Sequence, residues 1–108
     1  KLNSPVRYHV IATILEEKMA EFYQKLSDGT IRDQRPDGSE IVSSIRKAKL
    51  TKPMVAEWCE TCFCETPLAH ERETVYDQFF RDMEVLSIND DPKIDGQSFW
   101  KYLSKLGQ

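Results

Sequence analysis

An apolar stripe near the start of the chain is the feature that most constrains the fold. Its members recur at three- and four-residue steps, as on one face of a helix: Tyr8, Ile11, Leu15, Met19, Phe22 and Leu26. Ser4 can cap this helix, Pro5 suits its first turn, and Asp28-Gly29 can end it. The sequence therefore predicts a long N-terminal helix over residues 4–27.

Residues 30–64 are predicted to form a small antiparallel sheet. Arg35-Pro36-Asp37-Gly38 is a strong turn signal, because proline presets one turn position and glycine accepts a positive φ. The β-branched pair Ile41-Val42 can begin a strand that pairs back through this turn. A helix that starts at Ser39 also fits the segment by its periodicity, with three residues facing inward: Ile41, Ile45 and Ala48. An all-α bundle, in which residues 39–63 are helical, is therefore the alternative fold.

A second apolar stripe begins after Thr66-Pro67, which is a typical helix start. It predicts a long helix and consists of Leu68, Val75, Phe79, Met83 and Leu86. An acidic loop follows over residues 87–96, and Ser98 then caps a short closing helix that turns three residues inward: Phe99, Leu103 and Leu106. The predicted fold class is therefore α+β, with a long N-terminal helix, a sheet within residues 30–64, and a long and a short C-terminal helix.

Chain length and composition limit the class of protein. At 108 residues, the whole chain, residues 1–108, is expected to form a single small globular domain. No apolar run approaches the ~18 residues that a membrane span needs. A net charge of -3 speaks against general nucleic-acid binding, which requires a basic surface. The three cysteines are an odd number, which favours reduced thiols in a cytoplasmic protein over a secreted disulfide scaffold.

The centre of the chain, residues 57–70, contains all the cysteines and one of the two histidines. Pro53 can start a helix before this stretch, but its content of Val, Trp, Thr, Phe and Cys favours a strand. We therefore predict a strand. It places Glu60 on an otherwise apolar face that is made of Met54, Ala56, Trp58, Cys62 and Cys64.

The chemistry of this stretch has three interpretations. A complete Cys3His donor set for tetrahedral zinc is present: Cys59, Cys62, Cys64 and His70. The segment Trp58-Cys59-Glu60-Thr61-Cys62 also resembles the Trp-Cys-x-x-Cys active site of thioredoxin-like oxidoreductases, but the βαβ pattern that should precede it is missing. Free cysteines flanked by Trp58 and Phe63 also fit a hydrophobic core, and this is the interpretation that the sequence favours.

No catalytic constellation is evident, so the leading functional prediction is a non-enzymatic interaction or structural module. Apolar surface beyond what one core needs would mediate contact with a protein partner or with a second copy of the chain. Four residues are the candidates for this surface: Val10 and Ile14 on the first stripe, and Trp100 and Tyr102 on the closing helix. The alternative is a zinc-binding or thiol-redox-responsive domain centred on residues 59–70.

Overall fold

The computed structural model of the protein describes residues 4–106. Its strands are β1 (Val6–Ile14), β2 (Lys49–Lys52), β3 (Val55–Cys62), β4 (Phe80–Ile88) and β5 (Gln97–Ser98). Its α-helices are α1 (Met19–Ser27), α2 (Gly38–Lys47), α3 (Ala69–Glu71), α4 (Asp77–Phe79) and α5 (Phe99–Leu106). A 3-10 turn (Glu16–Lys18) precedes α1, and a π-helical turn (Arg72–Tyr76) joins α3 to α4.

The five strands form one antiparallel sheet in the order β4-β1-β3-β2-β5. At the centre of the sheet, Val10 of β1 pairs with Trp58 of β3 on one side and with Val85 of β4 on the other. Strand alternation buries every second residue of β1 and β3, and these inward residues join the buried residues of the helices in one hydrophobic cluster. Helix α2 packs on β3, and α5 packs against both α1 and α2.

The predicted N-terminal helix is wrong in its first half, because residues 6–14 are strand β1. This segment also contains an alternating set, and all of its members are buried: Tyr8, Val10, Ala12 and Ile14. As the strand between β3 and β4, β1 has its backbone paired on both edges, and its β-branched residues suit a pleated surface. The helix begins only at Met19. It ends at Ser27, shortly before Gly29, whose φ of 92° is the left-handed conformation expected there.

Within residues 30–64, the hairpin that was expected to turn at Arg35–Gly38 is wrong. The segment after Arg35–Gly38 is helix α2, and the hairpin of this region is β2–β3, which turns at Pro53-Met54. The helical spacing of Ile41 and Ile45 accounts for the difference, because α2 buries both side chains. A Cβ at Gly38 would lie 1.9 Å from the carbonyl oxygen of Ile31. The turn therefore packs against the first residue of a helix. The strand prediction for the cysteine stretch is confirmed over Val55–Cys62, and the all-α alternative is wrong.

The predicted long C-terminal helix is also wrong. Helical structure covers only residues 69–79, and the chain then enters β4, which pairs with β1. The second stripe keeps one helical period, although its residues belong to the 69–79 helical segment and to strand β4. The short closing helix is confirmed as α5, where Ser98 Oγ accepts a hydrogen bond from the backbone N–H of Lys101. Leu106, expected to face inward, is exposed.

Between residues 4 and 106, none of the helices has both the length and the apolar character that crossing a membrane requires.

Candidate metal centre

Two cysteines come together at the end of β3. The alternation of β3 turns Cys62 toward the buried face of the sheet, where its exposed fraction is 1%. The strand ends at Cys62, and the chain then leaves the sheet and folds back. The backbone N–H of Cys64 consequently donates a hydrogen bond of 3.2 Å to the Cys62 sulfur. The local geometry therefore places both sulfurs at one corner of the sheet.

Glu71 completes the cluster from the following helical segment. It is the last residue of α3 and is 1% exposed. Its Oε1 atom accepts hydrogen bonds from both thiols, at 3.6 Å from Cys62 Sγ and 3.5 Å from Cys64 Sγ. The two sulfurs and this carboxylate oxygen all lie within 4.8 Å of one another. Three side chains of metal-ligating type thus converge on one point.

The backbone that delivers Glu71 is unusual at both ends. Leu68, the residue before α3, is fully buried in the left-handed conformation with a φ of 54°. The π-helical turn Arg72–Tyr76 follows Glu71 directly. Its wider i to i+5 spacing brings Glu71 and Tyr76 onto the same buried side. Short π-helical turns of this kind occur frequently at functional sites.

Burial disfavours the charged forms of Cys62 and Glu71. It raises the pKa of the Cys62 thiol to about 12 and also raises the pKa of the Glu71 carboxyl. The thiol of Cys62 is therefore protonated at neutral pH. A cation bound between the three side chains would replace protons and would remove the cost of burying the charged forms.

The cluster lines one wall of a cleft of about 650 Å³. Asp37 and Glu40, at the start of α2, line the same cleft, and His70 lines it as well. His70 Nδ1 is 2.7 Å from Asp37 Oδ2, and this hydrogen bond raises the pKa of the imidazole. Asp37 Oδ1 is buried with no hydrogen-bond partner among the described residues. The cleft therefore combines thiols with several acidic groups.

The four predicted zinc ligands do not meet at one point. Cys62 and Cys64 are together, whereas Cys59 lies on the other face of β3, opposite His9 of β1. His70 lines the same cleft as the two thiols, but its ring is engaged with Asp37. Of the predicted set, the structure brings together two sulfurs and places the imidazole nearby.

Sequence reasoning missed Glu71 as the third donor. A signal was present, because Leu68, Glu71 and Val75 follow helical spacing and all three are buried. A carboxylate at an apolar position of a stripe indicates a buried, partnered acid. A donor set defined by cysteine and histidine alone does not contain this carboxylate.

A second buried carboxyl lies two residues before Cys62 on the same face of β3. Glu60 Oε1 accepts hydrogen bonds from the Trp58 indole at 2.9 Å and from the Tyr76 hydroxyl at 2.5 Å. Its Oε2 has no partner in the part of the chain that the structure describes. Burial raises the pKa of Glu60 to about 8. The acid that interrupted the apolar face in the sequence is therefore part of the core.

The four residues predicted for a partner surface lie in different environments. Val10 and Ile14 are buried in the core beneath the helices. Trp100 is half-buried, with its ring 5.2 Å from that of Tyr23 and the Arg46 guanidinium 4.4 Å from its centre. Tyr102 stacks on Phe99. These four side chains do not form one exposed apolar patch.

Two sulfurs and a carboxylate at a cleft can bind a metal ion, and two adjacent thiols can also exchange with a disulfide. Either chemistry would use Cys62 and Cys64 and would leave Cys59 aside. No protein-family model, no curated protein and no solved structure matches the chain. We therefore infer the chemistry of the site from its own residues.

Proposed function

We propose that the protein binds one divalent metal ion through Cys62, Cys64 and Glu71, and that zinc is the ion that fits best. The observation that carries this proposal is the convergence of the three donor atoms within 4.8 Å. The two sulfurs also share a single carboxylate oxygen as hydrogen-bond acceptor. A metal ion would take the place of these two thiol protons.

The types of donor favour zinc over harder cations. Thiolates select zinc and other soft or borderline metals, whereas magnesium and calcium take oxygen ligands. Zinc accepts cysteine sulfur and glutamate oxygen in the same site, usually with four ligands in a tetrahedron. Two sulfurs and one carboxylate therefore fill three of its positions.

The fourth position would face the cleft. Zinc sites with three protein ligands keep one position for water or for a ligand atom, and such open sites are typical of metal ions that act on bound molecules. The volume of about 650 Å³ beside the cluster is sufficient for a small molecule. His70, predicted from the sequence as a ligand, lines this cleft, but its Nδ1 is already bonded to Asp37. We assign it to the wall of the cleft rather than to the metal.

Self-association is not part of the proposal. Two of its four predicted contact residues, Val10 and Ile14, are buried. The other two, Trp100 and Tyr102, pack against Tyr23 and Phe99. A partner surface would need other side chains.

Metal binding is tested with reduced protein from which metal has been stripped by a chelator. Zinc is added back, and zinc per chain is measured by plasma mass spectrometry, with the affinity taken from competition against a chromophoric chelator. Wild type and Cys59→Ser are expected to bind one zinc per chain. Cys62→Ser, Cys64→Ser and Glu71→Gln should each bind at least about tenfold more weakly.

Cobalt supplies an independent readout of the ligands. Co²⁺ bound by thiolate shows a sulfur-to-metal charge-transfer absorption, which oxygen and nitrogen ligands do not produce. We expect this band in wild type, Cys59→Ser and His70→Ala. Unchanged zinc affinity in the double variant Cys62→Ser/Cys64→Ser, or loss of the band in Cys59→Ser, would refute the site.

A further inference from the structure

The positions of the two sulfurs suit a reaction that needs no metal. Cys62 Sγ and Cys64 Sγ lie within 4.8 Å of each other, and the backbone of Cys64 already folds over the Cys62 sulfur. A disulfide requires an S–S separation of about 2 Å. The remaining approach falls on Cys64, which lies beyond Cys62, the last residue of β3. Cys64 can therefore move toward Cys62 from outside the strand.

The two cysteines differ in accessibility, as an exchanging pair requires. Both sulfurs line the cleft, but Cys64 is half-buried whereas Cys62 is only 1% exposed. A disulfide that enters the cleft reaches the sulfur of Cys64 first. Cys62 then lies within reach of that sulfur from the protein side. Cys59 faces the other side of the sheet and is separated from both.

We propose that Cys62 and Cys64 form a two-electron thiol couple that exchanges with a small disulfide in the cleft, with Cys64 as the attacking and Cys62 as the resolving residue. The reaction yields an intramolecular Cys62–Cys64 disulfide. Because both sulfurs are also the proposed metal donors, disulfide formation and metal binding exclude each other. This exclusion rests on the proposed function, whereas the exchange itself does not.

The exchange is balanced without any other reagent. The sulfur of Cys64 attacks one sulfur of R–S–S–R, which forms a mixed disulfide and releases one R–SH. The sulfur of Cys62 then attacks the sulfur of Cys64, which forms the protein disulfide and releases the second R–SH. Both thiol hydrogens leave on the two R–SH molecules, and the two electrons of the dithiol reduce the ligand disulfide.

The charge of the cleft selects the class of disulfide. Asp37 and Glu40 line the cleft together with the thiols, and His70, which is hydrogen-bonded to Asp37, is a basic residue of the same lining. Glu40 also accepts the backbone N–H of Thr61, so its carboxylate is held near the end of β3. An acidic cleft attracts cations. A small disulfide that carries amino groups, with cystamine as the probe, should therefore react faster than an acidic one such as dithiodipropionate.

The experiment uses reduced, metal-free protein treated with cystamine and quenched with an alkylating agent. Intact mass and peptide mapping then identify the products. In wild type and in the matched control Cys59→Ser, we expect a Cys62–Cys64 disulfide. Cys62→Ser should instead accumulate one cysteamine adduct on Cys64, because the resolving thiol is missing. In Cys64→Ser, Cys62 should remain unmodified while the variant is folded, and it should react once the variant is denatured.

Several results would overturn the exchange. One is an unmodified Cys64 in the Cys62→Ser variant under conditions in which the denatured variant reacts. Another is a wild-type intramolecular disulfide that involves Cys59 in place of Cys62 or Cys64. Equal rates for cystamine and dithiodipropionate would overturn the assigned class of disulfide, since we expect about a tenfold difference at low salt. Near-ultraviolet circular dichroism establishes that each variant is folded.

A parallel experiment with zinc-loaded protein distinguishes the thiol exchange from the proposed metal binding. Protein loaded with zinc should react with cystamine at least about tenfold more slowly than metal-free protein, because the thiolates are engaged. Zinc binding without this protection would refute the mutual exclusion. If the disulfide forms but no zinc binds, the metal proposal fails while the exchange stands.

Discussion

The hydroxyl of Tyr76 donates a hydrogen bond of 2.5 Å to Oε1 of Glu60 in the core of the protein. Trp58 donates a second bond to the same oxygen, at 2.9 Å. These bonds favour the charged carboxylate, but burial outweighs them and raises the pKa of Glu60 to about 8. The core thus holds a carboxyl that is largely neutral at neutral pH, two residues away from Cys62.

Glu60 should make stability depend on pH. Its folded-state pKa of about 8 exceeds the ordinary value of 4.5, so the folded state binds its proton more tightly than the unfolded state. The resulting contribution is fully present below pH 4.5 and is lost as the pH rises through about 8. Glu60→Gln cannot ionise, so its free energy of unfolding should exceed that of wild type by about 2 kcal/mol or more at alkaline pH.

Urea unfolding of both proteins at several pH values measures this difference. Other groups also titrate, so the free energy of unfolding of the variant is subtracted from that of wild type at each pH. Glu84→Gln is the matched control, because Glu84 is an exposed carboxylate on β4. A difference between wild type and Glu60→Gln that stays constant from acid to alkaline pH would show that Glu60 does not titrate in this range.

Tyr76→Phe should destabilise the fold to an extent that also depends on pH. Below pH 4.5 Glu60 is neutral, and the variant loses an ordinary hydrogen bond worth about 1 kcal/mol. Above pH 8 the same bond would serve a buried carboxylate, and its loss should cost roughly 2 to 3 kcal/mol. Chemical denaturation at both ends of this range tests the prediction. An equal loss at both pH values would mean that the hydroxyl does not stabilise the charged form.

Zinc should stabilise the folded protein in proportion to its binding. With free zinc at ~100 times the Kd, the free energy of unfolding should increase by about 2.7 kcal/mol if only the folded state binds. Thermal unfolding with and without zinc measures the effect. Cys59→Ser should retain the full increase and Glu71→Gln should lose most of it. The same increase in Cys62→Ser/Cys64→Ser would place the zinc elsewhere on the chain.

Gly38→Ala should be among the most damaging small substitutions. A methyl group at this position would lie 1.9 Å from the carbonyl oxygen of Ile31 and 2.9 Å from that of Arg32. The start of α2 would have to move, and Asp37 in the wall of the cleft would move with it. We expect a loss of at least about 2 kcal/mol, measured by urea unfolding. Ser39→Ala, at the exposed neighbouring position, should change stability by less than about 0.5 kcal/mol.

Local signals in the sequence predicted elements whose hydrogen bonds are local. The cap at Ser98 and the stop before Gly29 are both present in the structure. The apolar stripe through Met19, Phe22 and Leu26 is likewise a buried helix face. The strand that contains Cys62 followed from its residue types and is also confirmed.

The errors fall where two periods fit the same residues. Residues 6–14 satisfy a helical stripe and a strand alternation at once. The helical stripe that starts at Leu68 likewise continues through Met83 and Leu86, although residues 80–88 form β4. In both cases the strand conformation depends on a pairing strand that is remote in the chain, since β1 pairs with β3 and with β4. A helix satisfies its own backbone, whereas a strand depends on segments that lie far away in the chain.

By itself, the sequence determined where the candidate donor residues are concentrated, which is the segment around Cys62, Cys64 and His70. Residue types and short-range periodicity are sufficient for that. Only the tertiary structure decided which donors meet. Strand alternation turned Cys59 to the opposite face, and the packing of the 69–79 helical segment brought Glu71 to both sulfurs. The physical reason is that the donors meet only when separate segments of the chain pack against each other and become buried. The spacing of the donors along the chain does not reveal that packing.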